Sequence, residues 1–587
     1  LHVRSRRQRQ MCIRDRLSGV YGIEQIPASM IERVEVMRGG GSALFGSSAI
    51  AGTINIITKE PMRNSGMLSH TITGIGDGDV FDNSTALNAS LVTDDQRAGL
   101  YIFGQNRHRS AYDHDGDGYS EIPKLHGQTI GFRSFLKTTT YSKLTFEYHH
   151  MEEFRRGGDL LNRPPHEANV AEQTEHSING GGLKFDYFSP NENHRFNVFA
   201  SAQHINRDSY YGPGDRDPLD AYGNTTDLNW MAGSQYVYSF GKCIFMPSDL
   251  TAGIEFNQDK LEDNMWGYNR TVDQKVNIGS AFLQNEWKND HWGFLIGGRL
   301  DKHNLINHVI FSPRANLRYN PTENINLRFS YSSGFRAPQA FDEDLHVENV
   351  GGNVAMVELA DNLKEERSQS LSASADIYHR FGAFQVNFLV EGFYTKLSDV
   401  FALTDGEVVD GILTRTRHNA SGAQVMGLTL EGKMAYLNKI QVQAGVTLQQ
   451  SHYSKPHIWN KEAPAVKKMM RTPNTYGYFT ATYTPIKPLS IALSGTYTGS
   501  MLVPHEPVPG FLENPITVNT KDFFDIGLKA AYDFKLYKSM NLQLNAGIQN
   551  IFNAYQDDFD KGADRDSGYI YGPSLPRSFF AGVKISY

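Results

Sequence analysis

The sequence predicts a large all-β fold, an antiparallel transmembrane β-barrel of about 22 strands. Three observations carry this prediction: recurring segments of period-2 alternation, an alternation of long and short connections, and an aromatic closing strand. Mean hydropathy is −0.45, and the sequence has no run of about 18 apolar residues that could span a membrane as a helix. Strands of a membrane barrel escape such a test, because alternating apolar and polar residues average out.

The alternation recurs from about residue 66 to the last residue. In segment 540–550, Leu542 and Leu544 alternate with Gln543 and Asn545. Period 2 places each set on one face of a strand. About 22 such segments fit the large even-numbered barrels, with polar faces lining a wide lumen and apolar faces meeting lipid.

The connections indicate where the barrel sits. Tight turns such as 289–290 and 437–439 separate long gaps, which lie near 105–126, 151–176, 205–228, 334–368, 399–422, 452–474, 501–521 and 553–575. A propeller or solenoid would repeat at one fixed spacing. Outer-membrane barrels have short periplasmic turns and long external loops. We therefore expect a Gram-negative outer-membrane location, and the closing strand that ends at Tyr587 fits it.

Charge, cysteine content and motifs exclude other classes. The net charge is −7, which disfavours nucleic acid as a partner. Cys12 and Cys243 form no metal-ligand or disulfide pattern. The sequence has no HExxH or GxSxG motif, so we expect no enzyme and no required cofactor.

Residues 1–16 match nothing in this scheme. They are rich in arginine and lack the apolar core of a signal peptide. A basic arm for nucleic acid is the alternative, but nothing downstream supports it. We expect this segment to be foreign to the protein and set it aside.

Residues 17–62 differ from the rest. A short strand over 31–38 runs into a glycine-rich stretch over 39–52, and a second strand follows over 53–59. A phosphate-binding loop would have this outline, and Gly41 and Gly46 have its spacing. Ser47 stands where that loop needs lysine, so we reject it.

This segment resembles the end of the plug domain of TonB-dependent outer-membrane receptors. The resemblance rests on Glu32, Glu35, Arg38, Gly39, Phe45-Gly46, Ala51-Gly52 and Asn55 to Lys59. It departs at Gly40, where the family usually has proline. The resemblance implies the C-terminal part of a small α/β plug over 17–62, held in the lumen of a barrel over 63–587.

The resemblance also implies partners and roles. In the family, charged plug residues pair with the barrel wall, and Arg38, Glu32 and Glu35 are the matching positions. A buried charge needs a partner, so such a pair can act as a latch. The alternative is that these are solvated charges. We expect a monomer in outer-membrane lipid, energised by the TonB complex. The signal peptide, the TonB contact segment and the earlier plug are not in this sequence, so we expect a truncated chain that cannot couple.

The family expectation for the ligand is a scarce bulky nutrient, a ferric siderophore or cobalamin. Segments 335–338 and 361–368 resemble boxes found in many family members, haem receptors included, and His346 lies where haem receptors place an axial ligand. Haem is therefore the alternative ligand. Aromatic side chains suited to gripping a bulky ligand, or to ordinary packing, stand in the loops: Tyr210, Tyr211, Trp266, Tyr268, Trp459 and Tyr571.

One loop predicts a calcium site. Asp113, Asp115 and Asp117 alternate ahead of Gly118, as in the first half of an EF-hand, and Glu121 could close the set. The alternative is a polar external turn. For a second acidic stretch, over 557–566, we expect a solvated loop.

The rival functional class is a passive porin-like or adhesin-like barrel, which would have no plug segment. A polysaccharide importer that works with a surface lipoprotein is disfavoured, because chains of that kind are much longer.

Overall fold

The computed structural model describes residues 27–38, 46, 49–50, 52–213, 221–350, 353–410 and 412–587. Strand makes up 71% of it, and 22 antiparallel strands close into one barrel. The barrel strands in chain order are β3 (Ser65–Ile75), β4 (Val80–Val92), β5 (Ala98–Arg109), β6 (Ser120–Thr139), β7 (Ser142–Gly158), β8 (Val170–Phe188), β9 (His194–Pro213), β10 (Tyr222–Cys243), β11 (Met246–Met265), β12 (Arg270–Lys288), β13 (Trp292–His303), β14 (Val309–Thr322), β15 (Ile325–Arg336), β18 (Glu366–Phe381), β19 (Phe384–Ser398), β22 (Ala423–Tyr436), β23 (Ile440–His457), β25 (Thr475–Ile486), β26 (Leu489–Thr498), β29 (Phe523–Tyr537), β30 (Met540–Gln549) and β31 (Ser578–Ser586).

The remaining elements are short, and one of them, β24, pairs with the barrel strand β23. They are β1 (Ile31–Arg38), β2 (Gly52–Thr58), β16 (Glu348–Val350), β17 (Asn353–Leu359), β20 (Phe401–Val409), β21 (Ile412–Asn419), β24 (Val466–Lys468), β27 (Leu502–His505), β28 (Ile516–Asn519), the 3-10 helices η1 (Ala28–Met30), η2 (Pro165–Glu167) and η3 (Trp266–Tyr268), and the helix α1 (Asp342–Leu345). In the described part of the chain, no helix is long and apolar enough to cross a membrane.

The first and last barrel strands close the sheet. Strand β3 pairs antiparallel with β31, from Met67 opposite Ser586 to Ile75 opposite Ser578. The closing strand predicted from its aromatic alternation therefore seals the barrel, which leaves no free sheet edge there. The predicted fold class is confirmed.

The neighbouring strands β22 and β23 show how alternation builds the wall. Leu428 lies opposite Leu448, and the two side chains are 40% and 48% exposed on the outer, lipid-facing side. The next pair, Thr429 and Thr447, is buried on the inner side, with its hydroxyls 2.9 Å apart. One face of each strand thus meets lipid and the other the lumen.

Strands β6 to β12 are longer than a membrane requires. Strand β10 has 22 residues, which is about 70 Å of chain, whereas a membrane-spanning strand needs about 9–11 residues. The connections predicted over 105–126, 151–176 and 205–228 therefore shrink to 110–119, 159–169 and 214–221. The predicted loops were too long there, because polar residues on both faces of a strand above the membrane look like loop in the sequence.

Two small sheets lie in the external connections. Strands β16, β17, β21 and β20 form one sheet, in which β17 and β21 run parallel. Because β17 belongs to the connection between β15 and β18, and β21 to that between β19 and β22, this sheet joins two loops. Strands β27 and β28 form a hairpin within a third loop.

The segment 337–347, which we call the lumen loop, folds into the barrel. Its helix α1 places Leu345, 1% exposed, against Ile178, Ile205 and Leu261. Ile178 has the opposite parity to the lipid-facing Leu183, so this contact lies on the inner wall. Burying a leucine side chain stabilises this docking by roughly 1.5–3 kcal/mol.

Candidate functional site

Strands β1 and β2, the plug pair, are antiparallel, with Glu35 opposite Asn55. The Asn55 amide donates to Glu35 over 3.2 Å, and Arg33 donates to Glu35 over 2.8 Å and to Glu32 over 3.3 Å. Both predicted glutamates thus have a partner within the pair. Arg38 ends β1, and its side chain lies outside the described residues. The latch role of Glu32, Glu35 and Arg38 stays a prediction.

Other residues connect the plug pair to the barrel wall. The Arg133 guanidinium donates to the Thr58 hydroxyl, and the Lys143 ammonium forms an ion pair with Glu60. Arg133 is only 4% exposed. Charges in such a setting must be paired, so these contacts fix the end of β2 against the inner wall.

Helix η1 makes a third contact. Met30 packs against Tyr101 and Phe103, and the Tyr101 hydroxyl donates to the Ser29 carbonyl over 2.9 Å. Sequence reasoning missed all of these contacts. Alternation shows that Tyr101 and Arg133 face inward, but it does not say which plug residue they meet.

The carboxylates of the acidic loop, which spans residues 113–121, lie close together as their spacing predicts. Ligand oxygens of Asp113, Asp115 and Asp117 lie within 4.8 Å of one another. The backbone N–H groups of Gly116 and Gly118 both donate to Asp113 over 2.8 Å. Carboxylates at this spacing are oxygen ligands suited to Ca²⁺. Whether calcium binds stays a prediction.

The same carboxylates face cations from the last external loop. Arg565 contacts Asp117 over 2.5 Å and Glu121 over 3.0 Å, and Lys561 lies 3.4 Å from Asp115. Burial raises the pKa of Glu121 despite the Arg565 ion pair. A calcium ion would therefore compete with Arg565 for Asp117 and Glu121.

The predicted haem ligand His346 follows the lumen loop helix. Its imidazole packs edge-on to Tyr211, with ring centroids 5.2 Å apart, and its Nδ1 lies 3.9 Å from Glu172. The side chain is 28% exposed, so part of the ring faces open space. The arrangement leaves an axial role open and does not test it.

The six predicted aromatic side chains do not form one surface. Tyr210, Tyr211 and Tyr268 are buried in a cluster that holds the β9–β10 and β11–β12 ends together, and the Tyr268 hydroxyl donates to the Tyr211 carbonyl. Trp459 is 9% exposed and Tyr571 8%. Trp266 is 65% exposed and is the one of these six that a ligand could reach in this conformation.

A chain of buried charges surrounds the lumen loop. Arg207 lies 3.8 Å from Asp263, and Arg270 contacts Asp263 over 2.9 Å. Arg270 also donates to the Leu345 carbonyl over 2.9 Å, at the negative end of helix α1. Because these groups come from different strands, the loop is bonded to the wall as well as packed on it.

Asp344 anchors the other side of the lumen loop. Its carboxylate accepts from the Phe341 N–H over 2.8 Å and forms an ion pair with Arg417 of β21. The guanidinium of Arg336 stacks on the Phe341 ring, 3.7 Å from the centroid, and Phe401 lies 5.7 Å from Arg336. Such cation–π contacts are strongest when desolvated.

A small open pocket lies on the inner wall of β5 to β8, where Gln105, Arg107 and Thr129 line it beside Met151 and Ile178. Met151 and Ile178 belong to the same apolar cluster as Leu345, so the pocket borders the lumen loop.

Comparisons with known families give two matches. A family model described as TonB dependent receptor-like, beta-barrel matches residues 66–551. A second, described as TonB-dependent Receptor Plug Domain, matches residues 8–53. The plug match thus starts within residues 1–16, the segment expected to be foreign to the protein.

Curated relatives cover part of the chain. An iron-regulated outer membrane virulence protein of Vibrio cholerae is 26% identical over 57% of this chain and 49% of its own length. The vitamin B12 transporter BtuB of Vibrio vulnificus is 22% identical over 55% of this chain and 50% of its own length. The chain thus spans about half the length of these relatives.

Solved structures share the fold over most of the chain. The siderophore receptor PirA from Acinetobacter baumannii has a TM-score of 0.76 at 16% identity, covering 96% of this chain and 86% of that one. A mutant of the ferric enterobactin receptor PfeA from Pseudomonas aeruginosa has a TM-score of 0.74 at 16% identity, with 96% and 86% covered.

Proposed function

Because this chain belongs to the TonB-dependent receptor family and is an outer-membrane β-barrel, we propose that it binds a scarce bulky nutrient for energised import. The ligand we propose is a ferric siderophore or cobalamin. The protein binds and passes its ligand without chemistry on it. In this proposal the TonB complex supplies the energy for import by acting on the plug, and the expectation that the given sequence cannot itself couple to TonB stays a prediction.

One observation carries the proposal: the plug pair is bonded to the inner wall. The contacts Thr58–Arg133 and Glu60–Lys143 and the hydrogen bond from Tyr101 to the Ser29 carbonyl attach this segment to the inner wall, whereas a passive porin would have no such segment. Polar bonds of this kind can break and re-form, because water satisfies both partners once the plug moves.

The ligand class is supported by what similar proteins are named for. They include siderophore receptors and vitamin B12 transporters. Arg207, Arg270 and Arg417 surround the lumen loop, but they are buried and paired with Asp263 and Asp344, so they do not favour one ligand class.

Haem is the second candidate, and His346 is the residue that favours it. Its partly exposed imidazole stands between Tyr211 and Glu172. A His346→Ala variant separates the two proposals, because haem binding through that ring should weaken while siderophore or cobalamin binding should not depend on it.

The test is a binding titration of the purified chain in detergent, followed by tryptophan fluorescence. Ferric catecholate and hydroxamate siderophores, cobalamin and haem are added separately. A saturable change in fluorescence with a ferric siderophore or with cobalamin supports the proposal. Binding of none of them, together with free passage of sugars through liposomes that hold the chain, would instead indicate a porin.

We also propose that the acidic loop takes up calcium. Asp113, Asp115 and Asp117 supply the oxygens, and Arg565 holds the loop in shape while the ion is absent. The ion would then stiffen an external loop without entering transport itself.

A further inference from the structure

Four external connections meet at one place, and the last long loop is one of them. Strands β20 and β21 bring Asp405 and Arg415, the connection after β23 brings Asn460, and the end of hairpin strand β27 leads to Glu506. The last loop, 550–577, adds Asp566. We call these five residues the loop knot, and a fifth connection, 110–119 with the start of β6, joins it through Arg565.

Glu506 is the centre of the loop knot. Arg415 contacts Asp405 over 3.0 Å and Glu506 over 3.1 Å. The Asn460 amide donates to the same two carboxylates, over 3.2 Å and 3.0 Å. Asp405 and Glu506 thus face each other across one guanidinium and one amide.

The last loop closes the loop knot from its other side. The Glu506 N–H donates to Asp566 over 3.0 Å, and the Asp566 N–H donates to Asp560 over 3.1 Å. Asp560 in turn lies 3.0 Å from His505. Asp560 and Asp566 are each only 7% exposed, so the expectation that the stretch 557–566 is solvated was wrong for these two residues. Their burial depends on loops distant in sequence, which a local pattern does not show.

Arg565 carries the connection further. Arg565 immediately precedes Asp566 in the chain, and its side chain contacts Asp117 and Glu121 of the acidic loop. The last loop therefore holds the acidic loop on one side and the loop knot on the other. Loops that would otherwise move independently are tied through this one segment.

The charges of the loop knot oppose each other. Burial disfavours the ionised form of Glu506, and the nearby carboxylates of Asp405 and Asp566 add repulsion. Arg415 and Asn460 act in the opposite direction. Like charges held this close resist ionising together, and the result is a pKa of Glu506 raised to about 7.

We propose that the loop knot is a proton-controlled clasp, in which protonated Glu506 holds the external loops together and ionised Glu506 loosens them. Four connections that meet around one buried carboxylate are the geometric basis. The groups that face Glu506 are Arg415, Asp405 and Asp566, with His505 next to it in the chain and Asp560 behind.

The direction of the pH effect on the clasp follows from proton linkage. An open clasp leaves Glu506 in water, where its pKa is near 4.5, whereas the closed clasp has a pKa of about 7. The closed form therefore binds the proton more tightly, and its advantage is complete below pH 4.5 and is lost as pH rises through 7. The difference of 2.5 between these pKa values sets an upper limit of about 300-fold on the change in the open-to-closed ratio.

Spin-label distance measurements test the clasp. Labels are placed at Glu462 and Glu513, in connections on either side of the loop knot, after Cys12 and Cys243 are replaced by serine. The original sequence should give one narrow distance at pH 4.5 and a broad distribution at pH 8. Glu506→Gln, which cannot ionise, should stay narrow at both pH values.

Two further variants complete the test. Asp557→Asn removes an exposed carboxylate of the same loop, paired with Lys521, and should keep the original pH response. Asp405→Asn removes a neighbouring repulsion, so the transition should move to lower pH. Each variant is first checked for barrel folding by its unheated gel mobility.

Two results would overturn the clasp. One is a distance distribution that does not change with pH in the original sequence. The other is a pH response that persists in Glu506→Gln, and if that variant does not fold, an unshifted midpoint in Asp405→Asn has the same meaning. None of these readouts involves a transported ligand, so they are independent of the proposed function.

Discussion

The lumen loop offers the sharpest test of how segments inside the barrel are held in place. We expect Arg417→Met to release this loop from the wall while the barrel remains folded. Arg417 is 6% exposed and its partner Asp344 is 3% exposed. Removing one partner of a buried ion pair costs about 3–5 kcal/mol, because the other charge is left without compensation.

The contacts that remain in the variant narrow the expected free-energy cost of Arg417→Met. Asp344 keeps the bond from the Phe341 N–H, and Arg270 still binds the helix carbonyl of Leu345. The cost should therefore lie near the lower end, about 3 kcal/mol. Since about 1.4 kcal/mol is tenfold in an equilibrium constant, local opening should rise by roughly 100-fold.

Hydrogen–deuterium exchange of the folded protein in detergent measures this opening directly. Peptides that cover 337–347 should exchange about 100-fold faster, while peptides from β29 and β30 should not change. The matched control is Arg367→Met, an exposed arginine paired with Glu365, for which we expect less than about 1 kcal/mol. The double variant of Arg417→Met with Asp344→Asn should cost less than the sum of the two single changes. Unchanged exchange over 337–347, with a folded barrel, would refute the reasoning.

Three further predictions concern the plug, the acidic loop and one turn. Lys143→Met leaves Glu60 without its ion pair and should speed hydrogen exchange over 52–60, and equal exchange in both proteins would count against a wall contact there. Titration calorimetry with Ca²⁺ should show a saturable heat of binding that Asp115→Ala abolishes. No heat of binding with the original sequence would contradict the calcium site. Gly158 has φ +97°, and an added Cβ would lie 2.0 Å from the Val170 carbonyl oxygen, so Gly158→Ala should lower the temperature at which the folded gel band is lost. An unchanged temperature would show that this turn can relax.

The barrel could be predicted from the sequence because its physical basis is local. Alternation along a strand such as β30 depends only on neighbouring residues. Each strand of a closed membrane barrel has one face toward lipid and one toward the lumen. The closing pair of β3 with β31 then follows from the absence of free edges in a membrane barrel. Local chemistry also predicted that the carboxylates of Asp113, Asp115 and Asp117 come together, because they alternate within one short loop.

The packing of the lumen loop and of the tyrosine cluster could not be predicted, because the contacts join residues far apart in the chain. In the sequence Leu345 looks like an ordinary loop leucine, and only the structure shows that it packs against Ile178 and Ile205. Likewise Tyr210 and Tyr211 resemble ligand-facing aromatics, and only the packing of Tyr268 against them shows a structural core. A sequence pattern records which face a residue takes, but not what stands opposite.

Strand β21 links the loop knot to the lumen loop. Arg415 and Arg417 are two residues apart and so lie on the same face, about 7 Å from each other. Arg415 binds Asp405 and Glu506, whereas Arg417 binds Asp344 of the lumen loop. A short strand is stiff over that distance, so loosening the loop knot should weaken the hold of Arg417.

This coupling predicts a second effect of pH, away from the titrating group. Hydrogen exchange over 337–347, corrected for the intrinsic pH dependence of exchange, should be faster at pH 8 than at pH 5. In Glu506→Gln the difference should vanish, although the partners of Glu506 in the described part of the chain are Arg415, Asn460 and Asp566, none of which belongs to that loop. A pH effect that survives in Glu506→Gln would mean that the lumen loop responds to another group. A loop knot that titrates while the lumen loop does not respond would mean that β21 bends between its two arginines.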